Sequence, residues 1–272
     1  MMVVNDTVHI KGIKNSYRFM HITDSHIYVA GEDDNIEEKA RNDRIIAEKS
    51  WQRYEKTPAE ELIDMLVFAD SQDVNAVIIS GDAMDYFTPA NIRFLDKCFR
   101  NTKTDILYAF GNHEGANSRN KSCRDVYPCF AGIMPGSPDF YSVDYDEFVV
   151  AVMDDSDHEI TESQLMKLKA LCNEGKPVLL VMHTPIMCEG IIEPVKTYWK
   201  EETGWFLLGY DEKNEITKEF YRFLMQEECP VQMIFAGHIH FANKSYLPGG
   251  RIQFVAAPSF ERYARIVTIC SE

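Results

Sequence analysis

Five apolar runs in this sequence each end on an Asp, Asn or His, and that pattern restricts the folds open to the chain. They are Met20-His21-Ile22-Thr23-Asp24-Ser25-His26, Ile78-Ile79-Ser80-Gly81-Asp82, Ile106-Leu107-Tyr108-Ala109-Phe110-Gly111-Asn112-His113-Glu114, Val178-Leu179-Leu180-Val181-Met182-His183 and Met233-Ile234-Phe235-Ala236-Gly237-His238-Ile239-His240. Short apolar runs closed by Gly or polar residues read as buried strands. An open α/β sheet places its chemistry beyond the carboxyl ends of such strands. Gly81 lets the backbone turn sharply and approach a ligand without a Cβ in the way. A single strand-Gly-Asp has a plainer reading as a turn or a helix cap. Recurrence shifts the balance, because in a mainly parallel sheet the five ends converge on one edge. His26, His113, His183, His238 and His240 lie at these ends, and the chain has eight histidines in all.

The segments between these runs supply crossovers. Thr57-Pro58-Ala59-Glu60 is a capping box with Pro at the first helical position, opening a helix on Leu62, Met65, Leu66 and Ala69. Thr88-Pro89 opens the next, with Ile92, Leu95 and Phe99 inward. Strand, helix, strand, helix, strand implies right-handed crossovers and a parallel sheet. Residues 140–153 read as a hairpin that begins a second sheet. Thr161-x-x-Gln164 caps a helix over 162–173, and 216–227 is a helix with Phe220, Phe223 and Leu224 inward. Strands follow at 245–257 and 262–270, with a turn at Pro248-Gly249-Gly250. Residues 1–16 read as a short edge strand or a frayed start. His9 and His21 read as strand-face and packed histidines.

Composition narrows the function classes. A chain of 272 residues, 45% hydrophobic, can build a substantial core. A formal charge of −15 argues against an extended nucleic-acid surface and against binding to anionic membranes. The start of the chain lacks the pattern of a signal peptide, and no run approaches the roughly 20 apolar residues of a membrane span. The expectation is a cytoplasmic protein. Cys98, Cys172, Cys229 and Cys270 read as small core residues in a reducing compartment, and Cys123 and Cys129 lack the partners for a zinc site. Without repeats or linkers, 1–272 reads as a single domain.

Asp24-x-His26, Gly81-Asp82-x-x-Asp85, Gly111-Asn112-His113-Glu114, His183 and Gly237-His238-x-His240 together resemble the signature blocks of the calcineurin-like metallophosphoesterase family, in that family's order. The resemblance runs from about residue 17 to about residue 259. It implies an α/β fold: a four-layer α/β/β/α sandwich of two mixed β-sheets flanked by helices, with a metal site at strand C-terminal ends. It also implies two divalent or trivalent transition-metal ions. Asp24, His26 and His240 would take one, Asn112, His183 and His238 the other, with Asp82 bridging. Mixed nitrogen and oxygen ligands suit Mn, Fe or Zn better than Mg or Ca.

The implied reaction is metal-dependent hydrolysis of a phosphoester, in a phosphodiester or a small phosphorylated metabolite, by a hydroxide that the two metals activate. His113 is then the general acid and Asp85 the residue that holds it; a helix N-cap is the other reading of Asp85. Glu114 ties down the loop. Protein Ser/Thr phosphatases of this superfamily carry Arg-Gly where Tyr86-Phe87 stand here, which counts against a protein substrate. The acidic charge counts against a nuclease. The alternatives are a catalytically inactive scaffold of the same fold and a protein or nucleotide phosphomonoesterase.

Three insertions, near 28–56, 115–138 and 186–215, hold the specificity. Residues 32–54 read as a charged helix on Ile36, Ala40, Ile45, Ala47 and Trp51, either solvated at the domain edge or a lid. The 115–138 segment has little periodicity, and Arg119, Lys121 and Arg124 read as solvated rather than as phosphate contacts. Tyr198, Trp199, Trp205, Phe206 and Tyr210 either stack on a leaving group or form a satellite core. Asp154, Asp155 and His158 read as loop and cap residues.

Overall fold

The computed structural model describes residues 1–32, 34–40, 56–116, 122–200, 205–209 and 214–271. Of the residues singled out above, Ile45, Ala47, Trp51, Arg119, Lys121 and Tyr210 lie outside them.

Two sheets form from the apolar runs. The first has the order β1 (Met2–His9), β11 (Tyr263–Cys270), β2 (Tyr17–Ile22), β3 (Ala76–Ser80), β4 (Asp105–Ala109). The second has the order β5 (Phe140–Asp144), β6 (Val149–Met153), β7 (Val178–Val181), β8 (Val231–Ala236), β10 (Arg251–Val255), β9 (Asn243–Leu247). Strands β2, β3 and β4 are parallel, as are β6, β7, β8 and β10. The hairpin strand β5 and the edge strand β9 run antiparallel to their neighbours. Of the two readings of the start of the chain, an edge strand or a frayed start, the strand forms as β1, which pairs parallel with β11.

Period-two alternation explains the layering. Val150, Val152, Leu179, Val181, Met233 and Phe235 share one core with Phe19, Ile78 and Leu107 of the first sheet. Their chain neighbours Ala151, Met153, Leu180, Ile234 and Ala236 belong to a second core. Helices α3 (Glu162–Cys172) and α4 (Glu215–Leu224) close that second core with Leu165, Leu168, Phe220 and Leu224. Helices α1 (Pro58–Asp70) and α2 (Pro89–Asn101) flank the first sheet with Leu62, Met65, Leu66 and Leu95. Each such side chain, fully buried, contributes about 1.5–3 kcal/mol. The capping boxes form as read at Thr57/Glu60 and Thr161/Gln164. Thr88 caps α2 by accepting the N–H of Asn91, so Asp85 is not that helix's N-cap.

Three expectations need correction. The five strand ends do not share one sheet edge. Asp24, Asp82 and Asn112 follow strands of the first sheet, while His183, His238 and His240 follow β7 and β8 of the second. Chemistry therefore gathers where two sheets meet. Residues 122–138 are also more ordered than their composition suggests: Cys123–Phe130 is a 3-10 helix capped by Ser122, with Cys123, Val126 and Phe130 buried. Phe130 packs edge-on against Phe110, with ring centroids 4.4 Å apart. Finally, Asp154 and Asp155, read as loop and cap residues, are fully buried at the end of β6, and Thr161 caps the helix that follows.

Among the described residues, no helix is long and apolar enough to cross a membrane.

Candidate metal centre

The loops beyond β2 and β3 stay hydrogen-bonded after the strands end. The N–H groups of Asp24, His26 and Ile27 donate to the carbonyls of Gly81, Asp82 and Ala83 at 3.0, 2.9 and 3.0 Å. The loop after β8 joins that after β7 through the Gly237 N–H, 2.8 Å from the His183 carbonyl. This ladder holds Asp24, His26, Asp82, His238 and His240 in the left-handed backbone region, with φ of 49°, 45°, 50°, 68° and 56°. Residues other than Gly adopt this region at a cost, and they persist there where surrounding contacts over-determine them, often at functional sites. Glycine is required where the loops touch. A Cβ on Gly237 would lie 1.9 Å from Thr23 Oγ1, and one on Gly81 (φ 93°) would lie 2.4 Å from His183 Nδ1.

Each buried carboxylate divides its oxygens between two tasks. Asp24 Oδ2 accepts the Thr23 hydroxyl at 2.8 Å and the His238 N–H at 3.0 Å. Its Oδ1 points at His240 Nε2, 3.2 Å away, and His26 Nε2, 3.7 Å away. Asp82 Oδ1 accepts the His113 N–H at 2.9 Å. Its Oδ2 lies 3.2 Å from His183 Nε2 and 3.7 Å from His26 Nε2. Burial pushes the Asp82 carboxyl up, but His183, His113 and His26 outweigh it and hold the group below the usual carboxylate range. Asp24 is likewise held low, by His240 and His26 against burial.

Tautomers are set from behind. His183 Nδ1 donates to the Ser80 carbonyl at 2.8 Å, which turns Nε2 toward Asp82. His238 Nε2 donates to the Trp205 carbonyl at 3.1 Å, which leaves Nδ1 facing His183 Nε2 at 3.2 Å. Burial first, and then His183, lowers His238 to about 3, so this ring is a neutral nitrogen donor.

The result is two trios, Asp24/His26/His240 and Asp82/His183/His238, each with its ligand atoms within 4.8 Å of one another; a third, His26/Asp82/His113, links them. Asp24 Oδ1 and Asn112 Oδ1 are buried acceptors without a hydrogen-bond partner among the described residues. Facing nitrogens, facing carboxylates and unpaired acceptors form a donor set that fits transition-metal cations. The structure thus brings together Asp24, His26, Asp82, His183, His238 and His240, with Asn112 preceding His113 in the adjoining loop.

His113 stands at the edge of this cluster, its side chain 30% exposed and its ring 4.6 Å from that of His26. Its Nδ1 donates to the Asp85 main-chain carbonyl at 2.6 Å, whereas the Asp85 carboxylate is 3.7 Å away and lies closer, at 3.3 Å, to His26 Nδ1. Glu114 does more than hold one loop. Its carboxylate accepts the N–H groups of Gly111, Asp82 and Ala83 and the Tyr108 hydroxyl.

His21 is packed, as read, with Nε2 2.8 Å from Ser80 Oγ. Arg124 donates to the Glu159 carbonyl and pairs with Asp157. Asp155 was missed: its two oxygens accept the N–H groups of His183 and Thr184 at 2.7 and 2.8 Å. A signal existed, because Val149–Met153 is a sixth apolar run that ends in carboxylates.

The family model described as calcineurin-like phosphoesterase matches residues 17–242. No curated protein sequence matches the chain. Among solved structures, a dimetal phosphatase from Danio rerio aligns with a TM-score of 0.57 at 16% identity, over 90% of this chain and 88% of that one. A purple acid phosphatase from yellow lupin (Lupinus luteus) seeds aligns with a TM-score of 0.52 at 16% identity, over 90% of this chain and 44% of that one. At these identities the two structures share the fold.

Proposed function

Because the chain belongs to the calcineurin-like phosphoesterase family, we propose that it hydrolyses a phosphoester bond, in a phosphodiester or a small phosphorylated metabolite, using two transition-metal ions. The observation that carries this reading is the pair of carboxylate–histidine trios. Asp24, His26 and His240 would hold one ion, Asn112, His183 and His238 the other, and Asp82 would serve both. Mn, Fe and Zn suit these donors. Bound ions supply Lewis-acid chemistry, polarising phosphoryl oxygens and making hydroxide available near neutral pH.

The chain's own residues do the rest. The Asp85 carbonyl fixes a proton on His113 Nδ1, so Nε2 carries the proton delivered to the leaving alkoxide. Partial exposure lets His113 regain its proton from solvent. Asp155, Ser80 and the Trp205 carbonyl orient His183 and His238, and Glu114 fixes the loop bearing Asp82.

The test is hydrolysis of bis(p-nitrophenyl) phosphate against p-nitrophenyl phosphate on metal-stripped protein refilled with Mn, Fe or Zn. Diester turnover that vanishes in Asp82→Ala supports the proposal. A monoester preference would make the protein a phosphatase. No turnover of either, with two metals bound, would overturn hydrolysis in favour of an inactive scaffold.

A further inference from the structure

Trp205 stands at the rim of the cluster, and hydrolysis as described uses only its main-chain carbonyl. The residue is 61% exposed. Trp205 and Phe206 are nonetheless pinned. The Trp205 carbonyl accepts from His238 at 3.1 Å. The next residue, Phe206, is buried and stacks on Trp199, with centroids 4.8 Å apart and planes within 13°. The Trp199 indole N–H in turn donates to the Ile239 carbonyl at 3.0 Å. Phe206 and Trp199 thus pack at the edge of the second core, and they fasten it to the loop that carries His238 and His240. Trp205 adds little to that core.

The indole is also placed and backed. The His158 ring lies 4.7 Å from it, tilted by 34°. His158 lies 5.2 Å from His238, whose ring is 4.9 Å from that of His183. Two ring contacts therefore link the indole to His238, and a third reaches His183 beside Asp82. An ester group attached to phosphorus at the cluster spans a distance of this order. A rigid indole, backed by one ring and open to solvent, is the arrangement that stacks a second planar group at low entropic cost.

The geometry points to Trp205 as the stacking platform for a planar aromatic group on the ester cleaved at the cluster, a nucleoside or an aryl alcohol joined through oxygen to phosphorus. This rests on the phosphoester reading above and names its substrate class. Trp205 then sets specificity without entering the chemistry.

The test uses phosphonates, whose C–P bond resists hydrolysis, and reads binding by calorimetry on the metal-loaded full chain. Methylphosphonate carries no ring, phenylphosphonate an aryl ring, and the 5′-methylenephosphonate of adenosine a nucleobase. Wild-type protein should bind at least one aromatic probe about tenfold or more tightly than methylphosphonate. Trp205→Ala keeps the carbonyl that His238 needs, so it should erase this preference by weakening the aromatic probes far more than methylphosphonate. Trp205→Phe should restore much of it. The aromatic probe that gains most separates the nucleobase from the aryl source. A preference that survives Trp205→Ala, an equal loss for all three probes, or a wild type without preference each overturns the proposal. A wild type that binds none of the three removes the phosphoester reading as well.

Discussion

The Glu114 carboxylate accepts the backbone N–H of Asp82 at 3.0 Å across 32 positions of sequence. The same oxygen holds the Gly111 N–H at 2.6 Å, so one buried side chain ties the loop after β4 to the loop after β3. Glu114→Gln puts an amide N–H where these donors need an acceptor. It should cost about 2 kcal/mol or more of folding stability and lower metal occupancy. Denaturant unfolding and metal analysis of the purified variant check both.

His113→Asn should lower kcat roughly 10²- to 10⁴-fold while the metal content stays at the wild-type level. The loss should be smaller for p-nitrophenyl esters than for alkyl esters, since p-nitrophenolate needs little help from an acid. Steady-state rates across a leaving-group series give the answer; an equal loss for all leaving groups would remove His113 from the proton transfer.

Asp155→Ala leaves the buried N–H groups of His183 and Thr184 without their acceptor. The expected costs are about 2–4 kcal/mol of stability and a roughly 10- to 100-fold weaker metal affinity. Chelator competition measures the second effect, and unchanged affinity would make Asp155 a purely structural residue.

Asp154 gives a pH signature away from the cluster. Burial raises its carboxyl to about 6, even though it accepts the Ser156 N–H and the Tyr127 hydroxyl. In the unfolded chain the group returns to its ordinary value near 3.9. The folded state therefore binds this proton more tightly. The Asp154 contribution to stability is fully present below about pH 4 and is lost as pH rises through about 6. The loss amounts to about 3 kcal/mol. Asp154→Asn should flatten this component, so the wild-type minus variant stability should fall between pH 4 and 6 and level off above. A difference independent of pH would contradict it.

The strand ends were legible because each is a local pattern: an apolar run, a turn-forming residue, then a ligand type. Their distribution over two sheets was not. The runs before Asp82 and His183 look alike, and only pairing with distant strands decides their sheets. The left-handed backbone at Asp24, His26, Asp82, His238 and His240 leaves no mark in residue type, since inter-loop hydrogen bonds impose it. The Cys123–Phe130 helix escaped because Pro128 sits within it and its buried positions are few. Asp85 was read through its carboxylate, whereas its shorter contact to His113 runs through the main chain.

The central claim is that two metal ions act together on one phosphoester. The most direct measurement titrates metal-stripped protein with Mn or Zn, following metal content and turnover of bis(p-nitrophenyl) phosphate in the same samples. The predicted result is two equivalents per chain, with turnover rising only as the second binds, and one equivalent and no turnover in His240→Ala. Full turnover at one equivalent, or turnover that persists after chelation, would contradict it.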